Sequence, residues 1–135
     1  MKKINPVLKL RGFWLMTGYA LVGLVVYLSM TSSPLKLDIE FLYQDKLFHA
    51  LAYFALMFWF AQIYHEVFQR RMLAVIFVFQ GLLMEYLQSM DPARSAELAD
   101  MLANTVGVIL AFFLTRRTLG LILVKIESVL FGKTV

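Results

Sequence analysis

Three short polar groups interrupt an otherwise apolar chain, and their residue types are those that move protons and hold charged ligands. Asp45, Lys46 and His49 stand together. Asp45, His49 and Tyr53 follow at four-residue intervals, so a helix puts them on one face. Glu85 and Gln88 are three apart, Gly81 lies a turn earlier, and Arg94 and Ser95 come in the next polar stretch. Asp100 and Asn104 are again four apart, and Gly107 continues their stripe. An imidazole oriented by a carboxylate, Asp45 or Glu85, can act as a general base. A lysine and an arginine can clamp a phosphate or stabilise phosphoryl charge, while amides and carboxylates fix sugar or peptide groups. His49 and Glu85 are therefore the candidate catalytic residues. The candidate ligand-binding set is Asp45, Lys46, His49, Tyr53, Glu85, Gln88, Arg94, Asp100 and Asn104.

Each member also has a plainer role. Asp45 and Lys46 can mark a water boundary, and a single histidine can be a hydrogen-bonded structural one. Asn104 and Gly107 suit close helix packing, because small residues let backbones approach and amides bond between helices. Ser95 is placed to cap the next helix, with Glu97 in its first turn, so no nucleophile paired with a base is visible. A metal site from His49, Glu85 and Asp100 would need ligands from three helices, which spacing cannot establish. No metal and no cofactor is assigned.

The elements that position these groups are four apolar runs, Phe13 to Met30, Leu47 to Tyr64, Met72 to Met90 and Leu98 to Leu114. Each approaches the roughly 20 residues that a membrane-spanning helix needs. Of the 135 residues, 61% are hydrophobic and 16% charged, too apolar a balance for an ordinary water-soluble domain. The connections are short, so neighbouring helices run antiparallel. The expected fold is all-α: a four-helix transmembrane bundle forming one domain over 1–135. There is no cysteine, which excludes disulfides and thiolate chemistry. The first run follows four basic residues like a signal peptide. It is longer than a usual signal core and lacks a good small-residue cleavage site, so it reads as an uncleaved helix.

Basic residues fix the orientation. Lys2, Lys3, Lys9 and Arg11 precede helix one, Arg70 and Arg71 lie between helices two and three, and Arg116, Arg117, Lys125 and Lys133 follow helix four. The other two connections hold Lys36, Asp38, Glu40, Asp45 and Lys46, and then Asp91, Arg94, Glu97 and Asp100. Both termini are expected in the cytoplasm. The net charge of +4 follows from this topology and from contact with anionic lipid, and nucleic acid is not an expected partner. Leu35 to Phe41 alternates apolar and charged residues, the period of an extended segment, expected to cross the outer rim. The tail 115–135 places Leu119, Ile122, Leu123, Ile126, Val129 and Leu130 on one helical face, which suits an interfacial amphipathic helix. With this topology all three polar groups meet at the outer end of the bundle. There Glu85 and Asp100 are expected to face inward and pair with Arg94, Lys46 or His49.

The same residues carry a resemblance. Asp45-Lys-Leu-Phe-His-Ala-Leu-Ala-Tyr53, Glu85-Tyr-Leu-Gln88, Arg94 to Asp100 and Asn104-Thr-Val-Gly107 reproduce, in order, the D-K-x-x-H-x-x-x-Y, E-x-x-Q, R-x-x-x-x-x-D and N-x-x-G pattern of VanZ-like membrane proteins. The chain resembles that family from about residue 13 to 114. The resemblance implies a small multi-pass protein of the bacterial cytoplasmic membrane. The family takes its name from a member linked to teicoplanin resistance, and it implies no particular reaction. The leading expectation is a protein that binds membrane lipids through an outward-facing polar site, its ligand a phospholipid headgroup or a lipid-linked cell-envelope intermediate. An enzyme acting on such a headgroup, and a structural partner of another membrane protein in an envelope complex, are the alternatives.

Overall fold

A computed structural model describes residues 6–31 and 43–132. The expected extended segment 35–41, and Lys2, Lys3, Lys36, Asp38, Glu40 and Lys133, lie outside the described residues. The elements are α1 (Arg11–Met30), α2 (Gln44–Ala61), α3 (Val67–Gln88), α4 (Leu98–Leu114), a 3-10 turn (Thr118–Leu121) and α5 (Ile122–Phe131). The described residues are all helix and connection, with no strand.

Two helices depart most from the apolar runs. α2 begins at Gln44, because Asp45 is favourable in a first turn, and it ends at Ala61. α3 begins at Val67, five residues before the expected start at Met72. Gln69, Arg70 and Arg71 are adequate helix formers, and an apolar criterion passes over them. Arg70 and Arg71 are thus helical, not in a connection, and Arg70 is buried.

α2 and α4 form the tightest seam of the bundle. Gly107 makes it possible: a Cβ there would collide with the Ala50 carbonyl oxygen and stand 2.9 Å from the Phe54 nitrogen. The core between the helices is Val25, Tyr53, Leu56, Met57, Phe60, Ala61, Phe77, Val108 and Ala111. More large apolar side chains are exposed than buried, among them Val75, Phe79, Ile109 and Phe113. In water that surface would be a severe aggregation liability, whereas lipid covers it at no cost.

Two helices, α1 and α3, are long and apolar enough to cross a membrane, or three spans if α4 and the segment after it form one broken span. The chain turns by 82° between α4 and Thr118–Phe131. α2 carries Gln44, Asp45, Lys46 and His49 in its first turns, and α4 has only 17 residues.

Side chains tie both ends of the bundle. At the basic end, Arg70 donates from Nε to the Tyr64 carbonyl at 2.9 Å, from Nη2 to Ala61 at 2.8 Å and from Nη1 to Thr115 at 2.5 Å. One guanidinium thus satisfies carbonyls at the ends of both α2 and α4. Gln62 donates to the Leu119 carbonyl at 2.7 Å and accepts from the Ile122 N–H at 2.9 Å, fixing the tail. Glu127 of α5 accepts from the backbone N–H groups of Lys9 at 2.6 Å and Leu10 at 2.9 Å, and from Trp14 Nε1 at 2.7 Å. The buried edge of α5 is therefore Leu123 with Glu127, and Leu123 packs with Leu8 and Ile63. Ile126, Val129 and Leu130 of the expected apolar face are exposed.

Candidate functional site

The opposite, acidic end brings α2, α3 and α4 together around His49. The imidazole sits one turn into α2, where residues at four-residue intervals share a face. Its Nδ1 lies 3.1 Å from Asn104 Oδ1 and 3.9 Å from Glu85 Oε1. An amide oxygen only accepts, so Nδ1 is the nitrogen that carries a proton toward Asn104. Nε2 faces Asp100 Oδ2 at 3.8 Å and Asp45 Oδ1 at 3.9 Å.

Lys46 joins the same carboxylates from the other side. Its Nζ is 2.5 Å from Asp100 Oδ1, 3.5 Å from Asp45 Oδ2 and 2.6 Å from Glu97 Oε2. The hydrogen bond and charge of Lys46 hold the exposed Glu97 carboxyl below the usual carboxylate range. Glu97 is also the residue at the N-cap of α4, and it makes no side-chain cap. Ser95 is exposed and two residues too early, so the expected Ser95 cap is not formed. Its place at the start of α4 is taken by Glu97, whose side chain turns instead to Lys46.

Glu85, Asp100 and Asn104 are buried, at 1%, 6% and 2% exposure. Gly81 lets Asn104 approach α3: a Cβ on Gly81 would lie 3.2 Å from Asn104 Cβ and Nδ2, and 3.5 Å from Tyr53 Cε1. The small residue therefore sets the depth of the cluster. Glu85 Oε1, Tyr53 Oη and Asn104 Nδ2 are buried without a hydrogen-bond partner. Three unmet polar atoms at one place are unusual, because buried polar groups are normally satisfied.

Two members of the expected set are engaged elsewhere. Arg94 donates from Nη1 to the Ser29 carbonyl at 2.8 Å and from Nη2 to the Thr31 carbonyl. Gln88 donates to the same Ser29 oxygen at 2.5 Å. Both therefore close the C-terminal end of α1, whose last carbonyls have no helical donor. The expected pairing of Arg94 with Glu85 or Asp100 is not formed. Asp45, Lys46, His49, Tyr53, Glu85, Asp100 and Asn104 remain together, joined by Glu97, which the sequence offered only as a first-turn acid.

Charge follows from this census. Asp45, Glu85, Glu97 and Asp100 face one lysine and one histidine, so acidic groups outnumber fixed cations. At the basic end His65 also lacks partners for its ring nitrogens. Burial, then the Arg70 charge, pushes that imidazole below the usual histidine range. It lines an open pocket with Arg11, Tyr64, Glu66 and Gln69, whereas the acidic end draws its acid, base and amide groups from three helices into mutual contact. No protein-family model, curated protein or solved structure matches the chain.

Proposed function

We propose that this chain is a VanZ-like protein that crosses the bacterial cytoplasmic membrane four times, with both termini inside. Its outward-facing polar site holds the headgroup of a phospholipid or lipid-linked envelope intermediate. The ordered motif from Asp45 to Gly107 supports the kinship. The alternation of helix ends supports the four spans: Glu127 and Arg70 tie one set of ends, Arg94 and Lys46 the other. α2 and α4 are 18 and 17 residues long, about 26 Å at the helical rise of 1.5 Å, close to the hydrocarbon thickness. The basic end is the cytoplasmic one by the positive-inside rule.

One observation carries the ligand reading. Arg70, Gln62, Gln88, Arg94 and Glu127 have their polar groups engaged at helix ends, while Glu85, Tyr53 and Asn104 converge with polar atoms unmet. A structural network would close on itself, and an open one at intramembrane depth is suited to an incoming partner. An acceptor beside a hydroxyl and an amide donor matches sugar, amine or peptide groups. Since Arg94 is engaged and Lys46 is held by carboxylates, the site is better suited to such groups than to a bare phosphate clamped by two cations. Binding is favoured over turnover because the described groups within 4 Å of His49 are carboxylates and an amide, and the Tyr53 hydroxyl of the cluster has no hydrogen bond to a base.

The test is mass spectrometry of the lipids retained by purified protein, wild type beside Glu85→Gln and Tyr53→Phe, each checked for folding. A lipid enriched in the wild type and lost from well-folded variants is expected. Identical lipid profiles in all three would defeat the reading and favour a structural partner role.

A further inference from the structure

We propose that Asp45, His49 and Asp100 form a divalent-metal site at the acidic end, open to the membrane surface. The proposal rests on reading this cluster as a ligand site and names what completes it. One ligand atom from each of the three residues falls within 4.8 Å of the others. His49 Nε2 is 3.8 Å from Asp100 Oδ2 and 3.9 Å from Asp45 Oδ1. With the Nδ1 proton directed to Asn104, the neutral imidazole would turn its Nε2 lone pair into the same space as the two carboxylate oxygens.

The surroundings have the form that metal sites require. A ligating imidazole donates its other N–H to an amide, carbonyl or carboxylate, which fixes the ring and its tautomer. Asn104 Oδ1 takes that role, and the buried Glu85 Oε1, itself without a hydrogen-bond partner, stands behind the same nitrogen. This buried oxygen, with no hydrogen-bond partner and facing the imidazole, is a second observation, beside the ligand triad, that the cluster holds too little positive charge. Lys46 does not fill the place. Its ammonium holds Asp100 Oδ1 and Asp45 Oδ2, leaving the other oxygen of each carboxylate turned toward His49. Lys46 therefore orients both ligands while four carboxylates keep the site net acidic.

Ligands about 2.1 Å from a tetrahedral ion stand about 3.4 Å apart, so the two His49 contacts must close by about 0.5 Å and the widest separation by up to about 1.4 Å. Asp45 can supply that movement, since its side chain is 60% exposed in the first turn of α2. Three protein ligands with one exposed side leave a coordination position for water or a headgroup oxygen. One imidazole with two carboxylates suits zinc or manganese better than magnesium, which prefers oxygen ligands throughout.

The experiment is calorimetric titration of chelator-stripped, full-length protein in detergent, without added lipid, using zinc chloride and then manganese chloride. The wild type should bind about one ion per chain. Asp45→Asn and His49→Gln should weaken binding at least tenfold, and Asp91→Asn in the neighbouring connection should bind as wild type. Asp45 is at the surface, so its substitution keeps the test valid if His49→Gln misfolds. Zinc-edge absorption should show an imidazole ligand that disappears in His49→Gln. Absence of saturable binding by the wild type, or equal affinity in Asp45→Asn, overturns the proposal. Metal binding with no selective lipid would remove the headgroup reading alone. Selective lipid without metal binding would remove the metal site alone.

Discussion

Replacing Glu127 with glutamine should loosen the basic end of the bundle by about 2.5–4 kcal/mol. Its carboxylate accepts three hydrogen bonds, from the backbone N–H groups of Lys9 and Leu10 and from Trp14 Nε1, at 2.6, 2.9 and 2.7 Å. The residue is only 4% exposed, so water cannot replace what is lost. Oε1 takes two of these donors and Oε2 takes Lys9. In the variant the amide oxygen can keep the Leu10 and Trp14 bonds without charge assistance, while the NH2 group faces the Lys9 N–H. Losing one charge-assisted bond costs about 1.5–3 kcal/mol, and weakening two others adds about 0.5 kcal/mol each. At about 3–5 °C per kcal/mol for a chain of this length, the midpoint should fall by about 8–20 °C.

The pH dependence has a definite sign. Burial works to raise the Glu127 carboxyl, but the bonds from Trp14, Leu10 and Lys9 and the Lys9 charge outweigh it and hold the carboxyl below the usual range. A depressed folded pKa means that the stabilisation is complete above the unfolded value of about 4.3 and disappears as pH falls through the folded value. Acidification below pH 4 should therefore narrow the gap between wild type and Glu127→Gln. Tryptophan fluorescence is a suitable probe, because Trp14 bonds to Glu127 and its carbonyl accepts from Trp59 Nε1 at 3.0 Å. Equal melting midpoints for the two proteins at pH 7, or a gap that widens below pH 4, would refute the reasoning.

Two other substitutions separate architecture from ligand binding. Gly107→Ala should force α2 and α4 apart at Ala50 and lower stability by about 3 kcal/mol, whereas Gly23→Ala, which meets nothing within 4 Å, should be neutral or slightly stabilising. Matching thermal melts would show that the seam is not so tight. Arg94→Lys should lower stability by about 1–2 kcal/mol, because lysine cannot reach both the Ser29 and Thr31 carbonyls, yet should leave retained lipid unchanged. Lipid loss from a variant that melts like wild type would return Arg94 to the site.

The sequence by itself determined the helices and the end at which the chemistry gathers. Long apolar runs with few charges admit little besides helices that bury or shield their backbone, and four-residue spacing put Asp45 with His49 and Asp100 with Asn104 on common faces. Short connections made neighbours antiparallel, so three polar groups had to meet at one end. Which of those groups remain in the cluster was a tertiary matter. Arg94 looked equally suited to Glu85, Asp100 or a phosphate, and only the position of α1 showed its guanidinium engaged by Ser29 and Thr31. Arg70 read as a basic residue of a connection and Glu127 carried no reading, because composition keeps no record of burial and most of their partners are backbone groups that any sequence possesses. Glu127 left one faint mark, a lone acid four residues after Leu123 in a basic tail. The proton on His49 was likewise undecided by sequence, since it depends on an amide 55 residues away, brought within 3.1 Å by the glycine-lined approach of α4 to α2 and α3.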